Sequence, residues 1–380
     1  MGKVKLLVYS SYLGNGGAEK HTVRVLNELS DDIFEITVVS ADKDGDYESQ
    51  LKPTIVLKKV GSRFIYNLSS SLGRLTTYFG LKKLIVNLNP DIILSIQDLQ
   101  NCIALNIIKK LSIKPKLILV VQNSVQDAYS NKRNIVHSTI LTYISERYQE
   151  ADKIIALSEG VKGGLLELNQ ELEAKVDVIY NAGLDDVMLS QLNGLKREVK
   201  NQTPTLISCG RLTNQKGYPF LFQALQLVKK EGIDFSLQIL GRGELEEELK
   251  NQVKELDLDK EVSFLGFQNN PYQYIANADI FVLSSIYEGF GNVIVEAMAC
   301  GTPVISTDCP HGPAEILNDG EFGVLIKSKD IEALSKAIMM LIKDDVLRDT
   351  FAQKGLFRAN DFHATVIGKK YQEKILELLN

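Results

Sequence analysis

The sequence predicts an α/β protein built as two similar halves, each a parallel sheet covered by helices. Three observations carry that prediction. The 380 residues exceed the roughly 250–300 at which a single hydrophobic core stops growing, so two domains are the default. Short apolar runs of strand length alternate with segments of helical periodicity along the chain, the pattern of parallel strands joined by crossover helices. After a polar break the series restarts with the same rhythm.

In chain order the first series is Leu6–Tyr9, Ile36–Val39, Ile92–Ile96, Leu117–Val121, Ile154–Leu157 and Val178–Tyr180. The second is Leu206–Cys209, Phe235–Leu240, Val262–Leu265, Ile280–Leu283, Val304–Thr307 and Val324–Ile326. Residues 184–203, from Leu184-Asp185-Asp186 to Lys200-Asn201-Gln202, are polar and lack a strong strand pattern ahead of Pro204. They are expected to form a linker between a first domain, 1–183, and a second, 204–363. From Thr365 to Leu379, Val366, Ile367, Tyr371, Ile375, Leu376 and Leu379 recur at helical spacing and predict a closing helix.

The opening Met1 to Val8 reads as a short buried strand and not as a signal sequence, because its apolar stretch stops at Ser10 and Ser11. No run approaches the ~20 apolar residues that span a bilayer. Cys102, Cys209, Cys300 and Cys309 are scattered, which suggests neither a disulfide framework nor a zinc site. A cytoplasmic protein is expected.

The formal net charge is −5 and it is uneven. Residues 1–183 hold 22 Lys+Arg against 20 Asp+Glu, and residues 184–380 hold 21 against 28. Between Glu48 and Asp91 stand Lys52, Lys58, Lys59, Arg63, Arg74, Lys82 and Lys83 with no acid, interleaved with Phe64, Ile65, Tyr66, Leu68, Leu72, Tyr78 and Phe79. Such a stretch, Lys58 to Lys83 above all, suits an anionic lipid surface; a solvated helical face is the plainer alternative. A sequence pI near 5.6, with no recognisable binding motif, argues against nucleic acid.

Three segments carry candidate chemistry. The first strand runs into Leu13-Gly14-Asn15-Gly16-Gly17-Ala18-Glu19 and then a helix. Glycines there let a backbone approach a phosphate or sugar at the positive helix end, although a tight turn alone also needs them. The second half opens with a strand ending Ser208-Cys209-Gly210, then Arg211-Leu212-Thr213-Asn214-Gln215-Lys216-Gly217. This sets two cations beside a helix N-terminus, suited to a diphosphate, Arg211 by paired hydrogen bonds and Lys216 as a point charge. The third runs from Ser284 through Tyr287-Glu288-Gly289-Phe290-Gly291-Asn292-Val293 to Glu296 and Gly301. Glu288 is expected in the loop and Glu296 about one turn into an otherwise apolar helix, where a carboxylate is costly to bury unless something bonds to it. A ribose diol would do so; a capping or salt-bridged glutamate is the alternative.

Glu288 and Glu296 stand as Glu-x7-Glu. Together with Gly210-Arg211…Lys216-Gly217, Gly16-Gly17-Ala18-Glu19 and Gly301-Thr302-Pro303-Val304-Ile305-Ser306, they resemble the retaining family 4 glycosyltransferases of GT-B fold. The resemblance implies two facing Rossmann-like domains. The N-terminal one binds the acceptor and takes back the C-terminal helix, 364–380; the C-terminal one binds a nucleotide diphosphate sugar. By similarity Arg211 and Lys216 would hold the diphosphate and meet the charge that develops as it leaves, and Gly16 and Gly17 would close over it. Glu296 would accept the ribose hydroxyls, and Glu288 with the backbone around Gly289, Phe290, Gly291, Asn292 and Val293 would orient the sugar.

Where many relatives carry a histidine after the strand that corresponds to Leu117–Val121, this chain reads Gln122-Asn123-Ser124. Gln122 and Asn123 are therefore the sugar-edge or acceptor candidates. The segment Ser306 to Leu317 resembles a subset that builds bacterial surface polysaccharides, often from UDP-linked hexoses or N-acetylhexosamines, onto glycan or lipid-linked glycan acceptors. That would give Lys58–Lys83 a purpose at the inner face of the membrane. No Asp-x-Asp stands where metal-dependent transferases bind a cation, so neither a metal nor a cofactor is expected. His21, His137, His311 and His363 are dispersed, and none is assigned to catalysis. The competing readings are a UDP-sugar epimerase on the same architecture and a non-catalytic partner subunit of a transferase.

Overall fold

The computed structural model describes residues 2–10, 12–14, 16–41, 44–61, 70–122, 135–195 and 203–379. The chain divides into two compact units, Met1–Ala182 with Ala364–Asn380, and Gly183–His363.

The first unit holds seven strands: β1 (Val4–Tyr9), β2 (Phe34–Ala41), β3 (Val56–Val60), β4 (Ile92–Ile96), β5 (Lys116–Val121), β6 (Lys153–Ala156) and β7 (Val176–Val178). Their order is β3-β2-β1-β4-β5-β6-β7, and every neighbouring pair is parallel. Parallel strands buried on both faces read as continuous apolar runs, which is why the central ones were legible. Alternate residues feed two separate cores: Leu7, Tyr9, Ile93, Leu117 and Leu119 one, Leu6, Val8, Ile92, Leu94 and Ile118 the other. The second core is completed by Ala364, Ile367, Tyr371 and Ile375 of the closing helix Ala364–Glu377. Val366 and Leu379, counted with them from spacing, are exposed.

That helix is fastened to helix Gly17–Glu28 and its surroundings. Thr365 Oγ1 donates to Glu28 Oε2 at 2.9 Å, and Gln372 Oε1 accepts from Ser30 N at 3.2 Å. His21 is buried between them; its Nδ1 accepts from Ala182 N–H at 2.9 Å and its Nε2 faces Tyr371 Oη at 3.2 Å. Burial, with a smaller contribution from Arg24, holds its pKa down at about 3. The imidazole is neutral in the folded state, while the unfolded chain protonates near pH 6.5. Between those values the unfolded state binds more protons, so acid destabilises. Lowering the pH from 6.5 towards 4 is expected to cost this unit about 1.4 kcal/mol per pH unit through His21, visible in denaturant midpoints and flattened in His21→Gln. An unchanged slope in that variant would refute the assignment.

β4 ends in a strained turn. Gln97 has φ 79° and ψ 151°, a region reserved almost wholly for glycine that costs a residue with a side chain about 1–3 kcal/mol. Its backbone is tied at both ends, N–H donating to Val120 O at 3.2 Å and O accepting from Asn101 N–H at 2.9 Å.

The second unit holds β8 (Thr205–Cys209), β9 (Ser236–Leu240), β10 (Val262–Gly266), β11 (Ile280–Leu283), β12 (Val304–Asp308) and β13 (Val324–Lys327). The order is β10-β9-β8-β11-β12-β13, again all parallel. The segment read as a linker begins inside this unit and contains a helix, Asp186–Asn193. Asp185 caps it, its side chain accepting from Met188 N–H at 2.8 Å, and Leu184 and Met188 are buried. Two acids that looked like linker polarity are an N-cap and a first-turn carboxylate, both favourable at a helix start.

Each sheet reverses its strand order once, at β1/β4 and at β8/β11. The carboxyl ends flanking such a reversal are where α/β sheets bind ligands. The glycine segment follows β1, the Arg211 to Lys216 segment follows β8, and Ser284 to Glu288 follow β11.

Candidate functional site

In the second unit the loops after β8 and β11 are stitched together. Ser284 Oγ donates to Lys216 O at 2.9 Å, Ile286 N–H to Gln215 O at 2.8 Å, and Gln215 Nε2 to Tyr287 O at 3.0 Å. The loops approach so closely because residue 217 is glycine: its φ is +62°, and a Cβ there would lie 2.2 Å from Ser284 O.

Lys216 Nζ bonds Glu288 Oε1 at 2.6 Å. Its side chain runs across Gly210, where a Cβ would meet Lys216 Cε at 2.9 Å. Ser285 Oγ donates to the same Glu288 oxygen at 2.6 Å, and the Ser285 carbonyl accepts from Thr307 Oγ1 at 2.6 Å. The pair is largely withdrawn from water, with 13% and 8% of the two side chains exposed. Glu288 Oε2 takes no hydrogen bond among the described residues. The carboxylate is thus pinned by one oxygen and open at the other.

Arg211 is exposed, and no side-chain bond reaches it among the described residues. The sequence reading set Arg211 and Lys216 together on the diphosphate, Arg211 by paired hydrogen bonds and Lys216 as a point charge; in the structure Lys216 already faces a carboxylate. Glu296 lies in helix Asn292–Ala299, half-buried near Cys209. The Cys209 thiol is pushed well up by burial first and by Glu296 second. Burial, then Glu288, pushes Cys309 up to about 12. Both thiols stay protonated, and a thiol must ionise to act as a nucleophile.

Phe290 is buried edge-on to Phe362, ring centroids 5.5 Å apart. Its carbonyl packs against Gly312, where a Cβ would lie 2.0 Å away. Gly291, at φ 99°, precedes the helix that starts at Asn292 and carries Val293 in its first turn; Gly289 completes the turn from Glu288. All the second-unit candidates therefore gather at the carboxyl ends of β8, β11 and β12.

Sequence reasoning missed Ser285, Thr307 and the turn after β9. There Gly241, at φ 140°, abuts Gly210 O, Leu212 N–H donates to Arg242 O at 3.0 Å, and Arg242 is exposed. The signal was available, because Gly241-Arg242-Gly243 stands directly between a strand and a helix. A cavity of about 190 Å³ lined by Asp279, Pro303, Arg348 and Leu356 opens at the opposite, amino edge of this sheet, away from these residues.

In the first unit Gly16 is the N-cap of helix Gly17–Glu28. Gln122 directly follows β5 and is buried, with neither amide atom bonded among the described residues, and lines a small cavity with His21, Val120 and Tyr371. Asn123 lies outside the described residues, as does Arg63 of the basic stretch. Two cations of that stretch have partners further upstream: Lys52 pairs with Asp31 at 2.8 Å, and Lys59 with Asp44 at 2.9 Å and Glu48 at 3.1 Å. Lys58 and Lys83 are exposed, as are Leu75, Phe79 and Val86 on helix Ser70–Leu88. No helix among the described residues is long and apolar enough to cross a membrane.

Residues 195–356 match the family Glycosyl transferases group 1, and residues 15–182 match Glycosyltransferase Family 4. Among curated proteins, the chain is 29% identical over 379 residues to the N-acetylgalactosamine-N,N'-diacetylbacillosaminyl-diphospho-undecaprenol 4-alpha-N-acetylgalactosaminyltransferase of Campylobacter jejuni, covering 97% of this chain and 98% of that one. It is 30% identical over 371 residues to an uncharacterised glycosyltransferase of Methanocaldococcus jannaschii, covering 86% and 90%. Among solved structures, HepE of Anabaena in complex with UDP and glucose superimposes with a TM-score of 0.79 at 21% identity, over 98% of this chain and 100% of that one.

Proposed function

The chain belongs to the glycosyl transferases group 1, with an N-terminal half of glycosyltransferase family 4, and from that premise we propose that it moves a hexose or N-acetylhexosamine from a UDP-sugar to a glycan or lipid-linked glycan. The observation that carries this reading is the Glu288 carboxylate, pinned by Lys216 and Ser285 through one oxygen and open at the other. A fixed acceptor of this kind can hold sugar hydroxyls without reorganising.

Arg211, exposed and without a side-chain partner among the described residues, takes the diphosphate oxygens in paired hydrogen bonds. Lys216 turns part of its charge from Glu288 towards the leaving phosphate as negative charge grows there. Glu296 accepts from the ribose, and the backbone from Gly289 to Val293 lines the sugar. The bond from C1 to the phosphate oxygen breaks, the acceptor oxygen bonds C1 on the same face, and the acceptor proton passes to the departing diphosphate. Configuration is retained with no covalent glycosyl-enzyme. The charge on the leaving group is met by side-chain cations, so turnover is expected to persist in EDTA.

The Campylobacter relative supports an N-acetylhexosamine donor and a polyprenol-diphosphate acceptor, and the UDP complex of HepE supports a UDP donor. The test is ligand-detected NMR with UDP-, GDP- and dTDP-sugars on the wild type and on Glu296→Ala. UDP-sugars alone are expected to bind, about tenfold more weakly in the variant, in line with the loss of one charged hydrogen-bond acceptor. Preference for another base would overturn the UDP assignment, and no binding to any would favour the partner-subunit reading.

A lipid-linked acceptor brings the protein to a membrane surface, and the exposed Lys58 and Lys83, with the exposed Leu75, Phe79 and Val86, suit peripheral contact with anionic lipid. Vesicles containing phosphatidylglycerol are expected to sediment the protein at low salt and release it at high salt. Failure to sediment at low salt removes this part of the proposal.

A further inference from the structure

Glu19 lies in the first turn of helix Gly17–Glu28, directly after the glycine segment, and is only 9% exposed. Its Oε1 accepts from Gln97 Nε2 at 3.1 Å. Its Oε2 fills the space that a Cβ on residue 16 would need, 2.2 Å from that position. No ion pair reaches it among the described residues. A buried carboxylate without a cation is costly, and the helix N-terminus offsets only part of that cost.

Its partner is costly as well. Gln97 holds the glycine-only backbone conformation at the end of β4, with its peptide fastened to Val120 and Asn101. Two unfavourable features meet in one hydrogen bond between the segments that follow β1 and β4, the strands that flank the reversal of this sheet. Strain of this sort persists where the surrounding structure over-determines it and clusters at ligand sites. A fold seeking stability alone would do better with glycine at 97 and an apolar residue at 19.

We propose that Glu19 is a positioning residue of the glycine loop: its carboxylate, anchored by Gln97, packs against Gly16 and fixes the Gly16–Gly17 backbone in the conformation that receives the donor diphosphate. The inference rests on the donor reading for the function of that loop. Gly16 is small because Glu19 occupies its side-chain space, and Gln97 is strained because its amide must reach Glu19.

The test compares Glu19→Ala, Glu19→Gln and Gln97→Gly in the full chain by three measurements: UDP affinity by calorimetry, Tm, and amide hydrogen exchange of the peptide spanning residues 12–20. Glu19→Ala and Gln97→Gly are expected to weaken UDP about tenfold and to speed exchange across the glycine segment. Glu19→Gln keeps a carbonyl oxygen that can accept from Gln97 and is expected to stay within about threefold of wild type. Gln97→Gly is expected to keep or raise Tm, because glycine relieves the strain at that φ.

Helix capping alone would lower Tm in Glu19→Ala and leave Gln97→Gly with wild-type affinity and exchange, which would overturn the proposal. If the wild type binds no UDP, the donor reading is what fails, and exchange decides for the positioning role. Acceleration in Glu19→Ala and Gln97→Gly but not in Glu19→Gln supports it; equal exchange in all overturns it.

Discussion

Replacing Lys216 with alanine is expected to lower kcat by about a hundredfold, the usual loss when a charge partner of the transition state is removed. Two effects combine. The cation beside the departing diphosphate disappears, and Glu288 keeps only Ser285 on its bonded oxygen in a place where 8% of its side chain is exposed. Breaking a buried pair from one side leaves an uncompensated charge, so the variant is also expected to lose stability. Arg211→Ala provides the cleaner comparison. Arg211 is exposed and makes no side-chain bond among the described residues, so its removal leaves the fold intact and is expected to cost at least about tenfold in turnover. Steady-state kinetics with Tm measured alongside separates the two effects. Full activity in both variants would remove the diphosphate clamp from the account.

The second large effect is structural. Gly241→Ala places a Cβ 1.9 Å from Gly210 O at a backbone φ of 140°. Neither neighbour is the end of a flexible side chain, so backbone must move. The expected loss is on the order of 3 kcal/mol, or roughly 6–12 °C in the Tm of a unit of this size. Because Gly210 carries the Lys216 side chain across it, activity is expected to fall as well. Gly232→Ala is the control: φ there is +72° and nothing lies within 4 Å. It bears conformational strain without the clash, for about 1 kcal/mol. Calorimetry giving equal losses for the two variants would mean that the Gly210 carbonyl yields freely.

Most strands were legible because both sheets are parallel and covered on both faces, so that β4, β5 and β11 are apolar at nearly every position. β3 was not. It is an edge strand with Lys58 and Lys59 exposed and only Val60 buried, and charge on an edge protects it from pairing while hiding it from a search for apolar runs. The basic stretch that contains it looked free of acids because Asp31 and Asp44 lie outside the interval that was counted.

At the candidate site, spacing and residue type identified Arg211, Lys216, Glu288 and Glu296. They could not reveal that Lys216 and Glu288 are already bonded across 72 positions, since that contact depends on β8 and β11 being neighbours. Glu19 posed the same difficulty. It stands in the Gly16-Gly17-Ala18-Glu19 motif, but its half-buried partner Gln97 lies 78 residues away, just past the end of the neighbouring strand β4.

The closing helix gives the first unit a history that the second does not share. Gly183–His363 is one unbroken stretch and leaves the ribosome with its whole core in hand. The first seven strands emerge earlier, yet the face that buries Leu6, Val8, Ile92 and Leu94 lacks Ile367, Tyr371 and Ile375 until translation has passed through the entire second unit. For that interval the nascent chain carries a sheet with one side only partly covered, by Val23, Val25, Leu26 and Leu29, and His21 waits for the tyrosine that it will face.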